Sequence, residues 1–234
     1  MEASILEDTE NVENSSSTRA EGIDINTFDV VITNKAGQQM ASFKYGERPV
    51  EPIALDAGIY KIAMESEAMV GAEWEKPVYG AEREVVITRK QTTEVKDIVC
   101  KLRNIKVSVA YAADIKEQLD PAYTSMTIAL AENELVYSVD EERGGYFAPV
   151  AVENTLQLTF KCRYVDGDKD IIMTNEITGV KAAQWRKINV VVQHAADGTA
   201  NIGINCDTWT YDEEILFDTA AYLFEEVLVD DTDM

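Results

Sequence analysis

Alternation of apolar and polar residues with a period of two dominates the chain from Phe28 onward. The clearest case runs from Thr155 to Tyr164, where every second residue is apolar and the residues between them are polar. A β-strand with one face in a core and the other in water has this pattern, because successive side chains point to opposite faces. Shorter stretches repeat it at 28–32, 60–64, 85–87 and 105–111.

Turn signals separate these strand-like stretches. Asp197 and Gly198 predict a β-hairpin between the runs 185–193 and 200–206, and Asp166–Asp170 predicts another turn. A helical pattern is confined to 113–120, which can form about two turns before Pro121. Many short strands with turns between them predict an all-β fold of β-sandwiches with very little helix.

A chain of 234 residues is long enough for two such sandwiches. One strand pattern ends and another begins near residues 100–104, so we expect the boundary there. The prediction is an N-terminal β-sandwich over 22–103 and a C-terminal β-sandwich over 104–234. Residues 1–21 are acidic and serine-rich, and we expect them to form a disordered leader.

The formal net charge of −22 makes negatively charged macromolecules and membranes unfavourable binding partners. Nucleic-acid backbones and anionic lipid headgroups would be repelled, since both are bound through clustered Lys and Arg. The three cysteines are far apart and form no CxxC pair, so we expect buried free thiols, with a disulfide left open for an exported protein. The first residues lack the basic start and apolar run of a signal peptide. A cytosolic protein and an exported one whose signal lies outside this sequence therefore both stay open.

No catalytic constellation, cofactor motif or metal motif is predicted. His194 is the sole histidine and stands beside the predicted hairpin turn, where residues are usually just exposed. Asp166–Asp170 resembles half of a calcium loop but lacks the glycine at its sixth position and the downstream glutamate. We therefore expect a protein that is not an enzyme and holds no cofactor or metal.

Two regions offer candidate binding groups. Trp74 and Tyr79 lie in a loop-like stretch, where they either pack over the end of a sandwich or stack on a ligand. The segment from Tyr222 to Val229 is apolar and close to the end of the chain. It is either a final strand or helix of its own domain or a strand offered to a neighbouring molecule.

Three motifs carry a resemblance to a known family. They are a strand with Leu55, Gly58 and Tyr60, a loop with Trp74, Pro77, Tyr79 and Gly80, and a strand with Thr93, Val95, Cys100, Leu102 and Asn104. In this spacing, roughly residues 22–112 resemble the fimbrillin-like lipoproteins of Bacteroides and its relatives, and several members closest to the pattern are uncharacterised.

The resemblance implies an exported outer-membrane lipoprotein with two Greek-key β-sandwich domains related to transthyretin. It implies a processing site for an arginine-specific protease between Arg19 and Ala20. Removal of the first strand then opens a groove, which the terminal strand of the next subunit fills. The donor strand carried over in this way contains Tyr222, Phe224, Val227 and Val229.

The resulting hypothesis is a non-enzymatic cell-surface fimbrial or pilus subunit, or a related adhesin, located at the outer membrane or in a fimbria. Its partners would be other fimbrial subunits or surface ligands of host or bacterial cells. Membrane attachment would be only through a lipid anchor that this sequence does not contain. The rival hypothesis is a surface glycan-binding lipoprotein that uses Trp74 and Tyr79 as a stacking platform.

Overall fold

The prediction of an all-β fold is confirmed by the structure, a computed structural model. It describes residues 5–10, 23–96, 98–194, 200–210, 214–217 and 222–225, with side chains for 23–96, 98–191 and 202–209. Strands make up most of the described chain, and they form four sheets. No helix within these ranges is long and apolar enough to cross a membrane.

The strands follow one another with short connections. Their bounds are β1 Ile5–Glu10, β2 Asp29–Asn34, β3 Gln39–Lys44, β4 Ile53–Ala54, β5 Gly58–Glu65, β6 Ala72–Trp74, β7 Tyr79–Ile87, β8 Thr93–Val95, β9 Ile98–Leu102, β10 Ile105–Tyr111, β11 Ser125–Leu130, β12 Asn133–Ser138, β13 Gly145–Phe147, β14 Asn154–Cys162, β15 Ile171–Val180, β16 Gln184–His194, β17 Ala200–Thr210, β18 Glu214–Phe217 and β19 Tyr222–Glu225. The helical elements of the described residues are α1, Ala113–Lys116, and two 3-10 turns, Ile25–Thr27 and Tyr45–Glu47.

The chain divides into two compact units. The first unit contains residues 69–77 and 103–210 together with β1, and the second contains residues 23–68 and 78–102 together with β18 and β19. Residues 69–77 fall in the range predicted for the N-terminal sandwich, yet β6 pairs with β13 of the first unit. The predicted division into tandem domains over 22–103 and 104–234 stays a prediction.

Two sheets of the first unit face each other across one core. The six-stranded sheet has the order β1-β17-β16-β10-β13-β6, and the four-stranded sheet has the order β12-β11-β14-β15. The inward side chains of both sheets belong to one buried cluster, which includes Ile105, Val107, Val109, Phe147, Ile188, Val190, Ile202 and Ile204 from the first sheet and Met126, Ile128, Leu130, Leu156, Leu158 and Phe160 from the second. This arrangement is a β-sandwich.

Two tyrosines link the sheets of this sandwich reciprocally. The Tyr111 hydroxyl on β10 donates to the Tyr137 carbonyl oxygen, at 3.2 Å. The Tyr137 hydroxyl on β12 donates back to the Val107 carbonyl oxygen of β10, at 3.1 Å. Burial raises the pKa of both phenols above their usual range, so both hydroxyls keep their protons and act as donors.

The alternation of the sequence reappears as alternating burial. Along β14, every second residue from Asn154 to Cys162 is buried, and the residues between them are half-buried or exposed. The turn predicted at Asp166–Asp170 joins β14 to β15, which pair in antiparallel fashion, so the hairpin is confirmed. The predicted two-turn helix at 113–120 is wrong in length: α1 ends at Lys116, and Leu119 forms a β-bridge with Tyr164 instead.

The second unit contains a six-stranded and a three-stranded sheet, ordered β18-β9-β7-β5-β2-β3 and β4-β19-β8. Its buried apolar side chains include Phe28, Val30, Ile32, Leu55, Tyr60, Ile62, Met64, Val85, Ile87, Val95, Ile98, Cys100 and Leu102. The strand predictions at 28–32, 60–64 and 85–87 are therefore confirmed by β2, β5 and β7.

Strand β1 lies in the stretch for which the sequence predicted a disordered leader. It pairs in parallel with β17 of the first unit, with Ile5 opposite Ile204 and Glu10 opposite Thr208. The structure describes only residues 5–10 of this stretch, and their pairing partner lies near the other end of the chain, so the leader over 1–21 stays a prediction. A local composition pattern contains no information about such a partner.

All three cysteines are buried free thiols, as predicted. Cys162 and Cys206 belong to the core of the first unit, and Cys100 lies on β9 of the second. Burial raises the pKa of the Cys162 thiol to about 11, so at neutral pH it is a protonated, apolar core group.

Candidate functional site

The predicted processing site and half of the predicted donor strand lie outside the described residues. Arg19 and Ala20 belong to this group, as do Val227 and Val229. The other two donor-strand residues, Tyr222 and Phe224, lie on β19, for which the structure describes the backbone. The assignment of processing and donor roles therefore stays a prediction.

Strand β19 lies in the middle of the three-stranded sheet. It runs parallel to β4, with Phe224 opposite Ile53, and antiparallel to β8, with Leu223 opposite Glu94. Within the described chain, β4 and β8 pair with no strand other than β19. The small sheet therefore exists only because the terminal segment closes it.

Strand β18, which precedes β19, joins the other sheet of the same unit. It pairs in antiparallel fashion with β9 at the edge of the six-stranded sheet, with Ile215 opposite Cys100. The last two described strands of the chain thus complete sheets whose other strands all lie before residue 103. Main-chain hydrogen bonds of this kind do not depend on which molecule supplies the strand.

The predicted stacking pair is divided between the two units, with Trp74 in the first and Tyr79 in the second. Tyr79 is 1% exposed at the start of β7 in the second unit, and its backbone N–H and carbonyl are both bonded to Ser66. A side chain so deeply buried has no ring face left for a sugar. The prediction of ligand stacking is therefore wrong for Tyr79.

Trp74 belongs to the first unit and packs against its core. Its ring meets the ring of Tyr137 edge to face, with centroids 4.7 Å apart, and the Arg143 guanidinium lies 4.7 Å from its centroid. Arg143 in turn forms two hydrogen bonds to the Glu141 carboxylate, at 2.9 and 2.7 Å, and lowers the pKa of that carboxyl to about 2. The sequence left two alternatives open for Trp74, packing over the end of a sandwich or stacking on a ligand. The contacts of Trp74 are those expected for packing.

The carboxylate of Asp170, the last residue of the Asp166–Asp170 turn, forms ion pairs with basic side chains of the same unit. Asp170 lies 2.6 Å from an Arg163 nitrogen and 3.2 Å from Lys161 Nζ, and these two partners lower the pKa of its carboxyl. Among the residues that the structure describes, no group of three or more His, Cys, Asp or Glu side chains is arranged to hold a metal ion.

The structure assembles one cluster that the sequence predictions missed. Trp209 on β17 lies opposite Trp185 on β16, Trp185 lies opposite Lys106 on β10, and Lys106 lies opposite Tyr146 on β13. Residues that are partners in register point to the same face of a sheet. These four side chains therefore form a row across the outer face of the six-stranded sheet of the first unit.

Lysine ammonium groups lie on the rings of this row. Lys187 Nζ is 3.9 Å from the centroid of the Trp185 ring and 4.1 Å from that of Trp209. Lys106 Nζ is 4.1 Å from the Trp185 centroid and 5.8 Å from the Tyr146 centroid. We call Lys106, Trp185, Lys187 and Trp209 the tryptophan–lysine face.

A sequence signal for this face did exist. Trp185 and Lys187 alternate with the buried residues of β16, and Trp209 lies as far after Asp197 along the chain as Trp185 lies before it. The pairing of the two tryptophans has its midpoint at residue 197, whereas a two-residue turn at Asp197–Gly198 would pair Trp185 with Thr210, so the predicted turn gives this register only to within one residue. The lysine from β10 was not predictable in this way, because the parallel pairing of β10 with β16 is non-local.

Comparison with known proteins identifies one family. The model of the family described as Domain of unknown function (DUF4493) matches residues 2–219. No curated protein matches the chain.

Solved structures that are similar to the chain come from Bacteroides and Parabacteroides. A fimbrial assembly protein from Parabacteroides distasonis has 8% identity and a TM-score of 0.42 over 76% of this chain and 91% of its own. A candidate cell adhesion protein from Bacteroides fragilis has 10% identity and a TM-score of 0.39 over 87% and 94%. A candidate adhesin from Bacteroides ovatus has 10% identity and a TM-score of 0.36 over 85% and 90%. At these TM-scores no function is carried over from the three proteins.

Proposed function

The chain belongs to the DUF4493 family, and we propose that it is a non-enzymatic cell-surface protein, a fimbrial or pilus subunit or a related adhesin, which assembles by exchange of its terminal strand. Its location would be the outer membrane or a fimbria. Its partners would be other subunits or surface ligands. The sequence motifs around Leu55, Trp74 and Cys100 support this class through their resemblance to fimbrillin-like lipoproteins.

The observation that carries the proposal is the place of β19. Among the described strands, β4 and β8 are joined only by the terminal strand β19, and they belong to a part of the chain more than a hundred residues earlier. A segment that docks through main-chain hydrogen bonds can dock equally well on a second copy, which is the basis of strand exchange. The described chain would then be the self-complemented form of the subunit.

Strand β1 gives the predicted cut after Arg19 a physical consequence. Cleavage there would leave β1 without a covalent link to the rest of the chain. Its pairing with the edge of β17 would then be its remaining described attachment. Loss of β1 would free a sheet edge, and an unpaired edge is a template for another strand.

The proposal is tested with a disulfide clamp across the small sheet. Glu94 and Leu223 are partners in register, and Glu94 is exposed. The double variant Glu94→Cys/Leu223→Cys is expected to hold β19 on its own chain when oxidised. After treatment with an arginine-specific protease, the wild-type chain should give a ladder of SDS-resistant oligomers, whereas the oxidised clamp should stay monomeric until a reductant is added.

The single variant Glu94→Cys is the matched control and should form oligomers like the wild type. Clean cleavage after Arg19 that yields only monomers contradicts strand exchange. So does a chain ending at Thr210 that keeps the same fold and the same oligomers.

A further inference from the structure

We propose that the tryptophan–lysine face of the first unit binds an acidic carbohydrate, a chain of sugar rings that carry carboxylates. None of the predicted processing, donor-strand or stacking residues belongs to this face. Binding of such a ligand does not require strand exchange, so the two proposals can fail separately.

The ring of Trp209 supplies the stacking surface, because the ring of Trp185 already has the Lys106 and Lys187 ammonium groups 4.1 and 3.9 Å from its centroid. Trp185 and Trp209 lie on neighbouring strands, and the backbones of such strands are about 4.8 Å apart. Trp209 is 36% exposed on the outer face of the sheet, whereas the indole N–H of Trp185 donates to Ser108 Oγ at 2.9 Å, which fixes the orientation of that ring. Large aromatic rings held in fixed positions suit the apolar faces of sugar rings, because little conformational freedom is lost on binding.

The lysines supply the preference for negative charge. The ammonium groups of Lys106 and Lys187 are concentrated beside the two indoles in a chain whose formal net charge is −22. An ammonium group donates hydrogen bonds and accepts none, and its bonds to a carboxylate are strengthened by charge. Ring faces together with ammonium groups therefore match a ligand with apolar faces and carboxylates.

Two polar side chains, an amide and a carboxylate, lie beside the lysines. Asn189 lies two residues after Lys187 on β16, and its side-chain nitrogen donates to Asp207 Oδ2 at 3.2 Å. Asp207 is the partner of Lys187 in register. The Asn189 amide is a suitable partner for a sugar hydroxyl. The Asp207 carboxylate offsets part of the positive charge of the lysines, so a ligand carboxylate must bind on the side of Lys187 that faces away from it.

The overall charge separates an acidic glycan from a nucleic acid. Duplex DNA carries one charge per about 1.7 Å along its axis, so it would meet the repulsion of the whole acidic surface at close range. A glycan with one carboxylate per sugar has a lower charge density. Repulsion beyond about 8 Å is screened at physiological ionic strength, while the contact with the lysines persists.

The test uses polygalacturonic acid and its methyl ester, which share their rings but differ in charge. In native gels containing each polymer, the full chain should be retarded by the acid and not by the ester. Retardation should weaken with added salt, since the contact is partly ionic. Trp209→Ala should lower the affinity at least about tenfold, and Lys187→Gln about fivefold with a smaller salt dependence.

The matched control is Tyr123→Ala. Tyr123 is a 43% exposed aromatic residue of the same unit, and the Arg163 guanidinium lies 3.5 Å from its centroid. This variant should bind like the wild type. If Trp209→Ala does not fold, as judged by thermal unfolding, Lys187→Gln carries the test by itself.

Three results would overturn the proposal. The first is absence of binding to polygalacturonic acid, and the second is equal retardation by the acid and its ester. The third is a self-associated wild-type chain that Trp209→Ala turns into a monomer in sedimentation velocity, because the face would then be a contact between copies.

Discussion

The two sheets of the first unit are alike on their inner faces and different on their outer faces. Inside, both present closely packed aliphatic and aromatic side chains to one core. Outside, the four-stranded sheet carries a row of threonines, Thr127, Thr159 and Thr174, on β11, β14 and β15. The outer face of the six-stranded sheet instead carries the tryptophan–lysine face. Packing of the core therefore explains which residues occupy the inner faces, but it does not explain which residues occupy the outer faces.

The cations on the two outer faces have different partners. Lys161 of the four-stranded sheet lies 3.2 Å from the carboxylate of Asp170, which offsets its charge. Lys187 of the six-stranded sheet lies 3.9 and 4.1 Å from the centroids of two rings. A ring attracts a cation without neutralising it. On the six-stranded sheet the lysines thus lie against rings, and the carboxylate-bearing partner of Lys187 in register is Asp207.

The largest effect should come from the inner face of the four-stranded sheet. Phe160 is 0% exposed, so Phe160→Ala should lower the free energy of unfolding by about 3–5 kcal/mol because it leaves a cavity. Its neighbour Thr159 points outward and is exposed, and Thr159→Ala should cost at most about 0.5 kcal/mol. Urea unfolding of both variants measures the contrast, and equal losses would contradict the assignment of faces.

The next effect lies where the two sheets approach closely. A Cβ added at Gly145 of β13 would overlap the Tyr137 hydroxyl and lie 2.5 Å from Leu135 Cδ1, and neither of these buried side chains can move freely. Gly145→Ala should therefore cost about 1–3 kcal/mol in urea unfolding. At Gly144 the nearest atom would be the flexible Lys106 Cε at 3.1 Å. Gly144→Ala should accordingly cost clearly less, and the opposite order would contradict this packing.

A smaller effect is expected from the tyrosines that link the sheets. Tyr137→Phe removes the hydrogen bond to the Val107 carbonyl and should cost about 1 kcal/mol at pH 7. Tyr111→Phe, which removes the reciprocal bond, provides the comparison within the same pair. If Tyr137→Phe leaves the urea midpoint unchanged, the bond does not stabilise the sandwich.

The same buried groups set the alkaline limit of stability. Burial raises the pKa of Cys162 to about 11 and the pKa of both tyrosines, so the unfolded chain loses these protons at lower pH than the folded chain. Their contribution is complete below pH 9, and the free energy of unfolding should fall as pH rises beyond that value, by up to about 1.4 kcal/mol per pH unit for each group. Tyr137→Phe should make the fall shallower above pH 10. A flat profile between pH 9 and 11 in urea titrations would contradict the burial of these groups.

Local pattern predicted more of the fold than of the candidate site. Period-two alternation predicted the strands β2, β10 and β14 and their buried faces, because burial of one face acts on each strand separately. Composition could not predict the pairing of β1 with β17, nor the insertion of β6 beside β13, because both join residues remote in sequence. The stacking prediction failed for Tyr79, since an aromatic residue in a loop-like stretch has the same sequence pattern whether it is buried or exposed.

The smallest expected effect concerns the cations of the two outer faces. Arg163, and after it Lys161, lowers the pKa of the Asp170 carboxyl, so the stabilising pairing is present above the ordinary pKa of an aspartate and is lost as pH falls through the lowered value. Arg163→Gln should raise the pKa of Asp170 towards its ordinary value, and Lys161→Gln should raise it less. Lys106→Gln, on the outer face of the six-stranded sheet, should leave it unchanged. NMR titration of the Asp170 carboxyl measures all three variants. An unchanged pKa in Arg163→Gln would mean that the carboxylate is not held by this partner, and the ion-paired cations of the four-stranded sheet would no longer differ from the ring-bound lysines of the six-stranded sheet.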